Sequence, residues 1–275
     1  MVNSMRLTVL TDDKVRKRGY IAEHGLSLFI EVDDKIILFD TGQSDVFLKN
    51  AIKANLNIDG IDHIILSHGH YDHCKGMAYL PLLHKDPKVY AQHSAFLDKH
   101  ALNSDQKSYR NVGSLWLNSD ERIVYIDPNY QIDEHLYLLA DIPVTVDFEP
   151  VPRGFYIKRE DGSMIIDDLR DEQLLIIDTN EGLIVISGCS HFGIINGLNH
   201  VQAQFPNKKI KSVVAGMHLE NANDERIDKT IEGLSQFDLK HLIPLHCTGI
   251  MAIAKLKDAF KDKCSILYAG DQIEI

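Results

Sequence analysis

The chain has 275 residues, 44% hydrophobic and 25% charged, ordinary values for a globular protein with a core of real size. A formal net charge of −11 argues against nonspecific binding along a phosphate backbone, and no basic run is interleaved with aromatics, so no nucleic-acid partner is expected. No apolar stretch approaches the ~18 residues of a membrane span, no signal-peptide pattern appears, and four cysteines without a C-x-x-C pair are no disulfide framework, so no membrane partner and a cytoplasmic location are expected.

Residues 7–10 read as a short opening strand. Residues 26–32 and 35–39 are β-rich runs on either side of Asp33-Asp34, a hairpin signal, and the second ends in the turn Asp40-Thr41-Gly42. Ser44 is placed to cap a helix to about Asn55, with Val46, Phe47, Ala51 and Ile52 on one face. Residues 61–66 form a buried strand that runs into Ser67-His68-Gly69-His70-Tyr71-Asp72-His73. A helix is expected over 75–84 and a strand over 87–90. From His93 to Arg170 short apolar runs alternate with Asp, Asn, Pro and Gly, the pattern of a variable insertion with edge strands. A second hairpin, 174–178 with 183–187, turns at Asn180-Glu181-Gly182 and runs into Gly188-Cys189-Ser190-His191. Then come a helix over 193–204, a strand over 210–215 ending at Gly216-Met217-His218, and a helix over 225–237. A strand over 241–245 ends at His246-Cys247-Thr248-Gly249, followed by a helix over 250–262 and a strand over 265–268.

The two halves share one plan: hairpin, polar turn, helix, then a buried strand ending in histidine, at His68 and at His218. Two such layers pack sheet against sheet with helices outside, and their strand ends meet along one edge, where ligands of α/β sheets gather. The expectation is an α/β chain, 1–275 as one domain with an insertion at about 93–170.

Four potential ligands fall within six residues in His68-Gly69-His70-Tyr71-Asp72-His73, after a strand anchored in the core. Imidazole and carboxylate together suit zinc, iron, manganese or nickel. Gly69 between His68 and His70 lets both face one side of the turn, leaving Asp72 and His73 for a second position, which suggests two adjacent metals. His191 and His246 follow strands that would carry them to the same edge as further ligands, and His218 ends the strand between them, as a substrate contact or an inert neighbour. Cys189 fits two roles, a thiolate ligand or a small buried hydrophobe. Cys74, Cys247 and Cys264 read as packing. Asp40 fits either a carboxylate that hydrogen-bonds the histidine loop or an Asx-type turn. Arg16-Lys17-Arg18 reads as a solvated loop near the site mouth, and Arg153 as an exposed ion pair or a phosphate contact.

The run His68-x-His70-x-Asp72-His73 after a strand, with Asp40-Thr41-Gly42 upstream, resembles the signature of the metallo-β-lactamase superfamily. The motifs Gly188-Cys189-Ser190-His191, Gly216-Met217-His218-Leu219 and Pro244-Leu245-His246-Cys247-Thr248-Gly249 are similar to those of its dihydropterin-ribofuranosylaminobenzene phosphate synthase-like branch. The resemblance implies a four-layer αββα sandwich with a metal site, often dinuclear, at one edge of the paired sheets. It puts His68 and His70 on the first metal, with His191 as third ligand, and Asp72, His73 and His246 on the second. Where the superfamily has a bridging aspartate after a glycine, this chain has Cys189.

Three functions are open on the sequence. The first is a hydrolase with one or two divalent metal ions, zinc above all, acting on an anionic ester-like small molecule, with Asp72 orienting or deprotonating water. The second is a transferase similar to the synthase, joining a pterin-methyl pyrophosphate to an aminobenzene ribosyl phosphate. The third is a redox or metal-responsive binding protein on the same scaffold. The sequence specifies no oligomeric state.

Overall fold

Alternate residues of the central strands go to different cores, which is why those strands read as unbroken apolar runs. In the computed structural model, which describes residues 2, 5–80, 85–114, 120–126 and 128–275, Leu28 and Ile30 of β2 (Ser27–Val32) join one buried cluster while Phe29 joins another. Likewise Ile37 and Phe39 of β3 (Lys35–Phe39) part from Leu38, and Leu175 and Ile177 of β13 (Leu174–Thr179) from Leu174 and Ile176. The shared cluster draws on both large sheets and fills the space between them.

The first sheet has seven strands in the order β17-β1-β2-β3-β4-β5-β8. Besides β2 and β3 these are β1 (Met5–Thr11), β4 (His63–Ile65), β5 (Lys88–Ala91), β8 (Ile123–Tyr125) and β17 (Gln272–Glu274). Its outer face packs on α1 (Val46–Lys53) through Phe29, Leu38, Phe47 and Ala51. The second sheet has six strands in the order β16-β15-β14-β13-β10-β9: β13 with β9 (Asn129–Gln131), β10 (Leu136–Leu139), β14 (Gly182–Ser187), β15 (Ile210–Gly216) and β16 (His241–Leu245). Its outer face packs on α3 (Ile194–Gln204), α4 (Asp224–Ser235) and α5 (Ile250–Phe260) through Leu198, Leu234 and Leu256. The layers are therefore helix, sheet, sheet, helix, as expected. Residues 93–170 divide between the sheets: β8 extends the first, β9 and β10 the second. The rest form a separate four-stranded sheet of β6 (Lys99–Leu102), β7 (Tyr109–Asn111), β11 (Phe155–Lys158) and β12 (Met164–Ile166).

Three local expectations need correction. Helix α1 starts at Val46, and Ser44 spends its hydroxyl on Glu23 Oε2 (2.5 Å) while accepting from the Val46 N–H. Ile52 is 74% exposed; Asn50 faces inward instead, because its amide bonds the Leu10 and Ile21 carbonyls at 2.7 Å each. The helix expected over 75–84 begins earlier, as α2 (Tyr71–Cys74) inside the histidine motif, and continues as a 3₁₀ turn over Lys75–Tyr79; residues 81–84 lie outside the described residues. The closing strand is β17, not 265–268, because Gly270 (φ +89°) turns the chain so that 272–274 pair with β1.

Candidate metal centre

Parallel pairing sets the carboxyl ends of β3 and β4 side by side, and those of β14, β15 and β16 likewise. The chain leaves β3, β14, β15 and β16 through residues in the left-handed region: Asp40 (φ +57°), Ser190 (+51°), His218 (+48°) and His246 (+46°). Non-glycine residues rarely sit there, and such strain gathers where a site demands it. These sharp exits turn the side chains that follow the strands back toward one cleft.

Six of the expected ligands meet there as two groups, each with donor atoms within 4.8 Å of one another: His68, His70 and His191, then Asp72, His73 and His246. Cys189 lies between, its Sγ 3.1 Å from His73 Nε2 and grouped with His68 and His73. His68 Nε2 faces His70 Nδ1 at 3.1 Å in the first group, and His73 Nε2 and His246 Nε2 lie 3.6 and 3.4 Å from Asp72 Oδ2 in the second. Buried imidazole nitrogens and a carboxylate oxygen gathered this closely form a cluster of lone-pair donors, which fits a divalent cation. Burial and neighbouring imidazoles hold His68 and His191 well below the ordinary histidine range, and burial lowers His70 to about 4, so these rings are neutral donors. Burial would raise the Asp72 carboxyl, but His73 and His246 overcome it and keep it ionised. Burial would lower His246, but Cys247, Asp13 and Asp72 pull it well above its ordinary range; a cation would take that proton's place.

The surroundings orient these rings. Asp40, fully buried, takes His73 Nδ1 at 2.7 Å and accepts from the Ser67 N–H and Oγ, each at 2.7 Å; Ser67 Oγ in turn meets His68 Nδ1 at 2.9 Å. Such outer partners fix the tautomer and aim of a ligand ring. Several supporting residues escaped the sequence analysis. Asp13 Oδ1 bonds His246 Nδ1 at 2.8 Å, and Asp12 Oδ1 accepts from the His246 N–H at 2.7 Å. His24 reaches Asp13 at 3.4 Å and Asp72 at 3.3 Å. The tripeptide Asp171-Glu172-Gln173 stitches the two histidine loops together. Asp171 accepts from the Gly69 N–H (2.7 Å), Glu172 from the His191 and Phe192 N–H groups, and the Gln173 N–H donates to Ser67 O (2.9 Å). Burial pushes the Glu172 carboxyl up to about 7. Lys99, 1% exposed, pairs with Asp167 at 2.6 Å and Asp171 at 2.9 Å. The one signal for these residues was a run of three polar residues directly ahead of an apolar strand.

The cleft holds about 280 Å³. Asp72, Cys189, His191, His218 and His246 line it, and the separate sheet closes one side with Arg110 and Phe155, whose ring stacks on His70 (centroids 5.0 Å apart, 25°). Cys247, expected only to pack, also lines the cleft. Cys74 donates its S–H to the His70 carbonyl (3.0 Å), and Cys264 lies in the core beneath β16, as expected. Arg16 lies over Tyr268, and Lys17 binds Gly270 O and Asp271; neither reaches the cleft lining. Arg153 is exposed, and among the described residues it pairs with no carboxylate and lines no part of the cleft; Arg110 is the cation there. Among the described residues no helix is long and apolar enough to cross a membrane.

Residues 21–154 match a family model described as the metallo-beta-lactamase superfamily. An uncharacterized protein of Methanocaldococcus jannaschii is 33% identical over 253 residues, covering 91% of this chain and 93% of its own. The 7,8-dihydropterin-6-methyl-4-(beta-D-ribofuranosyl)-aminobenzene-5'-phosphate synthase of the same organism is 30% identical over 291 residues, covering 99% of this chain and 97% of its own. The crystal structure of Tm1679, described as a metal-dependent hydrolase of the beta-lactamase superfamily, is 36% identical with a TM-score of 0.84, over 98% of this chain and 99% of that one.

Proposed function

The chain belongs to the metallo-beta-lactamase superfamily, typically metal-dependent, and from that premise we propose that it is a hydrolase of a small, anionic, ester-like molecule. His68, His70 and His191 hold one divalent ion and Asp72, His73 and His246 a second, zinc in both places, with Cys189 between them. The observation that carries this reading is the pair of buried donor groups whose atoms converge on one cleft. Bound there, the metal supplies Lewis acidity toward a carbonyl or phosphoryl oxygen and a nucleophile at neutral pH.

The chain's own residues do the rest. Asp72, ionised and facing the cleft, takes up the proton released by attacking water. His218 and Arg110 face the cleft as cationic or donor groups for the substrate's anionic part. Phe155 and Val112 exclude water from one wall. The four cysteines are free, which supports a reducing cytoplasm as the working compartment.

A panel of phosphoesters, lactones and thioesters, assayed with zinc, manganese or iron added back, tests the reading. Turnover above that of His68→Ala/His70→Ala on at least one class is expected. No such turnover on any class would count against a hydrolase. The second reading is a transferase like the synthase, favoured by 30% identity that runs over 99% of the chain. Incubation with a pterin-methyl pyrophosphate and an aminobenzene ribosyl phosphate decides it: condensed product supports the transferase, and its absence removes it.

A further inference from the structure

A second, sulphur-rich set of donors adjoins the nitrogen-rich groups, and in it His218 serves a metal in place of the substrate. Cys189 follows β14, His218 follows β15 and Cys247 follows β16, and their donor atoms all lie within 4.8 Å of one another. All three line the cleft. The hydrolytic roles above require nothing of Cys247, whose Sγ lies 3.6 Å from the Cys189 carbonyl oxygen and beside the Cys189 and His218 side chains. His218 Nδ1 is a buried ring nitrogen without a hydrogen-bond partner, on a residue held at φ +48°. Three strand ends thus converge two sulphurs and an imidazole, a donor set that suits a tetrahedral thiophilic ion with its fourth position open to the cleft.

We infer that Cys189, His218 and Cys247 form a further metal position, sulphur-rich and selective for a thiophilic divalent ion, that shares the Cys189 sulphur with the nitrogen-rich cage. Cys189 Sγ lies 3.1 Å from His73 Nε2 on one side and within the sulphur group on the other, so it is the common wall of the two cages. Binding exchanges protons for the ion: both sulphurs bind as thiolates, any proton they hold leaves to solvent, two metal–sulphur bonds form and nothing is oxidised. Oxygen-seeking ions such as manganese stay in the nitrogen and carboxylate positions, while zinc, cobalt or cadmium take the sulphur position too.

Cobalt(II) chloride titrated into the metal-free full chain, under a reducing agent, tests this. A thiolate-to-cobalt charge-transfer band in the near ultraviolet is expected. In Cys247→Ser, with one of two thiolates gone, it falls to about half, and in His68→Ala/His70→Ala it persists. His218→Gln, at the solvent side of the cluster and least harmful to folding, weakens cobalt binding at this band by more than the ~10-fold that even an outer partner is worth. A band unchanged in both Cys247→Ser and His218→Gln would overturn the inference and leave Cys189 serving the nitrogen-rich cage alone. No band at all would overturn it as well. The readout is independent of turnover, so failure of the hydrolase reading and failure of this one are told apart.

Discussion

Asp40 steers two histidines with one carboxylate, His73 directly at 2.7 Å and His68 through the Ser67 hydroxyl. Three of its hydrogen bonds go to these partners, so removing the side chain frees both rings at once. Asp40→Ala is expected to weaken zinc binding about 10–100-fold, the usual worth of such a partner, as read by competition with a chromogenic chelator. Zinc affinity equal to that of the native chain would show that the rings are held by other means. Lys99 acts at the same scale. It balances two buried carboxylates, one of which accepts from the Gly69 N–H between His68 and His70. Lys99→Met leaves Asp167 and Asp171 buried without their cation and is expected to cost about 3–5 kcal/mol in urea denaturation. Lys99→Met/Asp167→Asn/Asp171→Asn, neutral throughout, should recover much of that loss.

Among the elements, the meeting of strand ends is decisive. β14 leaves the second sheet at Gly188, and there it runs against Ser67 at the end of β4 in the first sheet. A Cβ on Gly188 would overlap the Ser67 hydroxyl. That hydroxyl is the link between Asp40 and His68, so Gly188→Ala disturbs the site as well as the packing. A loss of about 1–3 kcal/mol in thermal or urea unfolding is expected from overpacking, together with reduced metal content by elemental analysis. Full metal content in a folded Gly188→Ala protein would contradict this account of the junction. Gly69 is constrained in the same way, since a Cβ there would overlap the Ala95 carbonyl oxygen. The histidine turn is thus pressed against the backbone that leads into the small sheet, and that sheet forms the cleft wall.

For the whole molecule, the donors are shared between its halves. His68, His70, Asp72 and His73 follow the first sheet, while Cys189, His191 and His246 follow the second. Each proposed group draws donors from both sheets, so an ion bound in either would tie the two sheets together in the folded state only. Its binding therefore adds to stability by mass action, about 2.7 kcal/mol when the free ion stands at 100 times its dissociation constant. Zinc should raise the midpoint of thermal unfolding and a chelator should lower it, followed by fluorescence or calorimetry. In His68→Ala/His70→Ala the shift should shrink. A midpoint indifferent to both zinc and chelator would contradict the shared cage.

Both hairpins, the buried strands and the histidines at their ends were legible in the sequence because each is a local pattern. Both faces of β2, β3, β13 and β14 are covered, so their apolar runs are continuous, and the turn residues between them are short and polar. The spacing His68-x-His70-x-Asp72-His73 is local in the same sense. The tertiary structure alone decided what depends on distant pairing. Strands of three residues, such as β8 and β9, carry too little pattern to assign, and their sheets are chosen by neighbours elsewhere in the chain. Gly69 meets Asp171 across 102 positions, and His246 meets Asp13 across 233, so neither carboxylate could be told from a surface charge. Cys247 looked like packing because a thiol's neighbours, not its own sequence context, separate a buried hydrophobe from a side chain on a cleft wall.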